Sequence, residues 1–290
     1  SSFIWSAYIF FECLVTENLF KRGKIAKTAM NEKQGDSDSQ KGILEESRLE
    51  SQISDPKETE NKKATTFLDK IMNGELEIGS SKALLIGLIL FALGLRLYFY
   101  FQYGGQAFWY DEADYFLRAK AIAFNLDWAG FAARKPVILP FFWSIFLWLG
   151  GNEMTLKLTE IFFSTCVVYV VYLLGKEAYN KYVGLMMGLF FAVYSLALFF
   201  SIRLLLGQGA LLATVFAVYF FIKWYKKRDF KYMIFAAIAT SLAIQIFFIP
   251  LYLVYMFVLF LMFTRPHTFY KDKHLWIAVL TVFLTFVPLM

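Results

Sequence analysis

Phe108-Trp109-Tyr110-Asp111-Glu112-Ala113-Asp114-Tyr115 comes shortly after the first long apolar run, Ala83 to Phe101. That run is close to the ~20 residues a membrane helix needs. Carboxylates at the end of a span are costly to take out of water, so this stretch should face water or a polar cavity. The aromatic residues ahead of the acids mark the level of the lipid headgroups. The stretch therefore reads as the surface end of a membrane helix and points to an all-α, polytopic transmembrane protein.

Composition supports that class. Of the 290 residues, 59% are hydrophobic and 20% aromatic, and the mean hydropathy is +0.52. A soluble domain of this size is less apolar. The net charge of +6 is unevenly placed. Residues 21–82 carry 12 Lys/Arg and 12 Asp/Glu, whereas residues 83–290 carry 17 Lys/Arg against 9 Asp/Glu. An excess of that kind between spans is a topology signal and gives no reason to expect nucleic acid as a partner. Cys13 and Cys166 both lie in apolar surroundings and suggest neither a disulfide framework nor a metal site. The chain opens without Met and stops inside an apolar run, as expected of the N-terminal piece of a longer protein.

Three regions follow. Residues 1–20 are apolar and aromatic but carry Glu12, Glu17 and Asn18, so an interfacial helix is favoured over a span. Residues 21–81 are polar and mixed in charge, and read as a disordered cytoplasmic segment. Residues 82–290 hold the membrane domain, with about seven spans expected. Spans are expected over Ala83 to Phe101, Leu158 to Leu174, Tyr182 to Ile202 and Gly207 to Ile222. Tyr232 to Phe263, broken at Pro250, has the length of two short spans, and Leu275 to Met290 begins another. Arg96, near the far end of the first span, is expected to snorkel to the interface, with an inward-facing cation as the alternative.

Between the first two spans, Asp114 to Phe124 has helical spacing, with Asp114 and Arg118 as an i,i+4 pair and Asp111 placed to cap. Arg134-Lys135-Pro136 leads the apolar run Val137 to Leu149, which is too short to cross. Basic clusters at 176–181, 223–231 and 265–273 should all be cytoplasmic. Counting spans from them makes 102–157 one extracytoplasmic loop with two surface helices. That loop holds Tyr110, Asp111, Glu112, Lys135 and Lys157, and the turn at Arg203 and Gln208 falls on the same side.

An acid pair and several cations at a membrane surface suit transfer of a sugar from a polyprenyl phosphate. The phosphate leaving group needs charge stabilisation by Arg or Lys. The acceptor hydroxyl needs a base, and a carboxylate can serve. The adjacent acids are badly placed to flank a glycosidic bond from opposite faces, so a hydrolase dyad is not the reading.

Trp109-Tyr110-Asp111-Glu112-Ala113 resembles the first-loop acid signature of the C-type (GT-C) membrane glycosyltransferases, in the branch of the protein O-mannosyltransferases and aminoarabinose transferases. Three further elements resemble that family in order. Lys135-Pro136-Val137 matches a Lys/His-Pro-Pro element lacking its second Pro. Leu149-Gly150-Gly151-Asn152-Glu153 matches a turn, with Lys157 standing where the family has Arg. Ser201-Ile202-Arg203 matches a third element, with Gln208 in place of an acid. The resemblance implies a glycosyltransferase with its active site outside the cytoplasm; a single base opposite the phosphate suits inversion, and the lack of Asn-x-Ser/Thr sequons and of a disulfide framework points to a prokaryotic cell membrane. The resemblance also implies Asp111 as general base, Glu112 as its support, and Lys135, Lys157 and Arg203 as contacts to the lipid phosphate. Arg96, Tyr110 and Gln208 complete the expected substrate-binding set. The expected partners are the bilayer, a polyprenyl-phosphate-linked sugar and an acceptor that is protein, glycan or lipid. No cofactor is firmly implied. Asp111, Glu112 and Asp114 leave a divalent metal open, with no His to support it. The alternatives are a degenerate, non-catalytic homologue, an oligosaccharyltransferase-like enzyme, and a transporter or flippase of lipid-linked sugars. The last of these would bury charges in mid-span.

Overall fold

The computed structural model describes residues 81–126, 136–264 and 273–286. The expected helix of 1–20, the polar segment up to residue 80, and both Arg134 and Lys135 lie outside the described residues. Among the described residues there are ten α-helices, one 3-10 turn and no strand. In chain order they are α1 (Ser81–Tyr103), α2 (Tyr110–Phe124), α3 (Ile138–Trp148), α4 (Glu153–Ala178), α5 (Lys181–Val193) and α6 (Ser195–Ser201). Then come α7 (Gly207–Lys227), α8 (Phe230–Ile246), the 3-10 turn Ile249–Leu251, α9 (Tyr252–Thr264) and α10 (Lys273–Phe286). Three of these, α1, α4 and α7, are long and apolar enough to cross a membrane, and the bent pair α5–α6 is a fourth if it is counted as one broken span. The shorter apolar helices α8, α9 and α10 follow them. The chain is a helical membrane protein.

Local chemistry sets the boundaries. Asn152 caps α4 by accepting from the Thr155 N–H at 3.1 Å, and Asn180 caps α5 by accepting from Tyr182 and Val183. Between α3 and α4 the chain turns at Gly150, whose φ of 89° suits glycine. Tyr182 to Ile202 was expected as one span. It breaks instead at Tyr194, and the two halves meet at 60°. Pro250 falls in the 3-10 turn, where the missing N–H does least harm.

The helices run back and forth between two ends. Tyr100 of α1 donates to Met154 O of α4 at 3.3 Å. Leu88 and Ala92 of α1 pack with Val168 and Ala192. So α1 and α4 are antiparallel. α4 and α5 approach so closely that a Cβ on Gly184 would lie 2.5 Å from Tyr172 O. At one end of the bundle, Lys226 donates to Glu177 O and, at 2.9 Å, to Ala178 O. Trp224 Nε1 lies 3.2 Å from His274 Nδ1 at that same end. The basic stretches around 176–181, 223–231 and 273 therefore gather together, as the topology count requires.

At the opposite end, Lys157 Nζ donates to Gly104 O at 2.6 Å, so the segment from 102 to 157 leaves and returns at one place. α3 is 11 residues long, about 16 Å, well short of the ~30 Å apolar core of a bilayer. It packs Leu139, Trp143 and Leu147 with Tyr115 and Ala119 of α2 and Leu156 of α4. Trp143 Nε1 also donates to Thr159 Oγ1 at 3.0 Å.

Arg96 does not snorkel. It is fully buried, its Nε donates to Ser164 Oγ of α4 at 2.8 Å, and Nη1 donates to Ala92 O at 3.0 Å. Side chains lean toward the N-terminus of their helix. Because α1 runs from the basic end to the loop end, that lean carries Arg96 away from the nearer surface and into the bundle.

Candidate active site

The loop end is built around Glu112. Its carboxylate is fully buried and accepts three hydrogen bonds. Oε2 takes the Trp109 N–H at 2.7 Å and Arg203 Nη1 at 3.2 Å, and Oε1 takes the Leu204 N–H at 2.9 Å. The first contact caps α2, since Glu112 is its third residue and reaches back to the N–H ahead of the helix. The helix N-terminus and the guanidinium both favour its charge. Capping α2 was the alternative role for Asp111. The helix begins at Tyr110, so Asp111 lies inside the first turn and Glu112 caps instead.

Arg203 draws the preceding segment onto this anchor. Nη1 also donates to Ala107 O at 3.3 Å, and Nη2 donates to Gln106 Oε1 at 2.6 Å. The guanidinium lies 4.5 Å from the centre of the Trp109 ring and 5.6 Å from that of Phe199. Its Nε is buried without a protein partner. Lys157, only 2% exposed, holds the other side of the segment through Gly104 O, with Gln106 O at 3.5 Å. Its ammonium also sits 4.9 Å from the centre of the Phe108 ring. Two cations thus strap residues 104–109 and deliver Tyr110 and Asp111 to the surface. Tyr110 is 86% exposed and Asp111 is exposed beside it.

The expected pair within α2 forms, with Arg118 Nε 3.0 Å from Asp114 Oδ2. Gln208 is buried. Its amide donates to Ala197 O at 3.4 Å, and its Oε1 lacks a partner. Arg96 makes its contacts within the span region. Glu112, Arg203, Lys157, Tyr110 and Asp111 are therefore brought together, while Arg96 and Gln208 bond elsewhere. Among the described residues no group of three His, Cys, Asp or Glu side chains is placed to hold a metal ion.

Two participants were not anticipated. Gln106 supplies the acceptor for Arg203, and nothing in the sequence distinguishes it from other polar loop residues. Glu160 is fully buried in α4 with neither carboxylate oxygen partnered. An acid inside an apolar run was the available signal. With Arg96 it places two ionisable side chains in the buried interior of the span region.

A sequence-family model described as dolichyl-phosphate-mannose-protein mannosyltransferase matches residues 134–290. The chain belongs to that family. The match takes in α3 through α10, and with them Lys157, Arg203 and Gln208; Asp111 and Glu112 precede it. No curated protein matches the chain. As a member of the mannosyltransferase family with membrane-crossing helices, it is a membrane protein of glycosyltransferase type.

Proposed function

We propose that this family member transfers a sugar from a polyprenyl-phosphate donor to a hydroxyl acceptor on the extracytoplasmic side, with inversion at the sugar carbon and Asp111 as general base. The observation that carries this reading is the division of labour between the two adjacent acids. Both oxygens of Glu112 are engaged by Arg203 and two backbone N–H groups, while Asp111 is exposed on the same helix turn. The acceptor O–H gives its proton to the Asp111 carboxylate as its oxygen bonds to the sugar carbon. The bond from that carbon to the phosphate oxygen breaks, and the electron pair leaves with the lipid phosphate. That leaving group needs positive charge more than it needs a proton. Arg203 and Lys157 supply it beside the strapped segment, and Lys135 is a third candidate by the family resemblance. Tyr110, exposed next to the base, is assigned to contact the acceptor or the sugar, a role its 86% exposure supports.

A second reading is movement of the lipid-linked sugar across the bilayer. It is favoured by one observation, the burial of Arg96 and Glu160 within the span region. Proteoliposomes supplied with a radiolabelled polyprenyl-phosphate sugar and mixed acceptors separate the two. Label passing from lipid to acceptor supports transfer. Label that changes leaflet but stays on the lipid contradicts transfer and supports the second reading.

A further inference from the structure

Far from the acid pair, at the basic end of the bundle, three ammonium groups converge on one aromatic ring. Lys223, Lys227 and Lys231 place Nζ at 4.8, 5.9 and 5.2 Å from the centre of the Tyr232 ring. Like charges gathered this closely repel one another unless an anion joins them. Lys231 has a partner in Asp229 at 2.9 Å. That hydrogen bond holds the Asp229 carboxyl below the usual carboxylate range. Lys223 donates to the Tyr219 hydroxyl at 2.9 Å and has no carboxylate within salt-bridge distance among the described residues, Glu177 acting on it only from farther off.

What lies beneath the three lysines decides what kind of anion fits. On α8, Lys231 heads a ridge of Phe235, Ile238 and Leu242, spaced as one helix face, and all three side chains are exposed. On α7, Lys227 and Lys223 head the row Phe220 and Phe216, whose rings stack at 5.9 Å. Phe220 meets Phe235 at 5.3 Å and joins the two rows into one aromatic wall. A cationic cap above an apolar wall, exposed along α8 and half-buried along α7, at the end of a membrane helix, matches an anionic head joined to acyl chains.

We propose that the α7–α8 turn binds an anionic phospholipid, its phosphate held by Lys223, Lys227 and Lys231 around Tyr232 and its chains lying along Phe220 and Phe235. A free phosphate has no use for the apolar wall. This site is separate from the proposed transfer site and stands whether or not that reading holds.

The test is native mass spectrometry of the purified chain in detergent, titrated with phosphatidylglycerol or phosphatidylcholine. A parallel arm follows the thermal midpoint with phosphatidylglycerol or with inorganic phosphate. The site predicts preferential retention of phosphatidylglycerol and a midpoint raised by that lipid but not by inorganic phosphate. Removing two lysines as K223Q/K227Q should weaken phosphatidylglycerol binding about 30-fold, from roughly fivefold for each lysine at a membrane surface. K176Q/K181Q removes two charges from the same end and should leave binding nearly unchanged. Tyr232→Leu, which keeps every charge, should weaken it as well. Equal loss in both lysine pairs would show diffuse attraction to a basic surface and overturn the proposal. So would equal retention of the two lipids, or a midpoint raised as much by inorganic phosphate.

Discussion

Separating Glu112 from Arg203 should be among the most damaging changes available to this chain. Glu112 is fully buried and Arg203 is 6% exposed, with 3.2 Å between Oε2 and Nη1. Glu112→Leu leaves a guanidinium buried without its carboxylate, a loss of about 3–5 kcal/mol. It also strands the N–H of Leu204, which is fully buried, for a further ~1–3 kcal/mol. The Trp109 N–H adds little, because Trp109 is 46% exposed and water can replace the lost acceptor. The expected total is about 4–8 kcal/mol. Arg203→Met leaves the carboxylate with two backbone donors and the helix N-terminus, and should lose about 3 kcal/mol. The double variant removes both charges, so it should lose less than the sum of the singles by about 3 kcal/mol. Reversible unfolding in mixed SDS and dodecyl maltoside micelles measures all four corners of the cycle. Additivity within about 0.5 kcal/mol would refute the pairing as the element that docks the Arg203 turn onto α2.

Gly184→Ala should destabilise the chain by about 1–3 kcal/mol, because its Cβ would meet Tyr172 O at 2.5 Å and Lys176 N at 2.9 Å, both backbone atoms of α4. Gly87→Ala, with nothing within 4 Å, should lower the thermal midpoint far less in the same measurement. Lys157→Met removes the donor that holds Gly104 O and should speed hydrogen exchange across residues 104–108 while α7 and α8 keep their protection. In a cysteine-free background, Glu153→Cys should react with an impermeant thiol reagent from outside the cell and Lys176→Cys only after the membrane is opened, since these residues end opposite termini of α4.

The bundle was legible because its signals are local. Apolar runs gave α1, α4 and α7, and the Lys/Arg clusters at 176–181 and 223–231 lie at one end, with Trp224 meeting His274 there. The short reach of Val137 to Leu149 matches the 11 residues of α3. The site was legible in part. Its residues could be nominated from chemistry and resemblance, but their partners could not, because Arg203 and Glu112 are 91 residues apart in the chain. The strap formed by Lys157, Arg203 and Gln106 is likewise a tertiary fact. The break at Tyr194 left no mark, since neither proline nor glycine stands there. Arg96 was misjudged for a reason that can be corrected. Snorkelling was judged from distance to the interface, when the direction of the helix decides which interface a side chain leans toward.

The central claim is that Asp111 takes the proton while Glu112 builds the platform. The most direct measurement is the initial rate of sugar transfer by Asp111→Asn in the full-length protein, reconstituted with a polyprenyl-phosphate sugar. Since Asp111 is exposed and Glu112 carries the buried contacts, this variant should lose far less stability than Glu112→Leu and should keep its donor binding. The account predicts a rate lowered about 10²- to 10⁴-fold, the usual contribution of a general base. A rate near that of the wild type, with the protein folded and the donor bound, would contradict it.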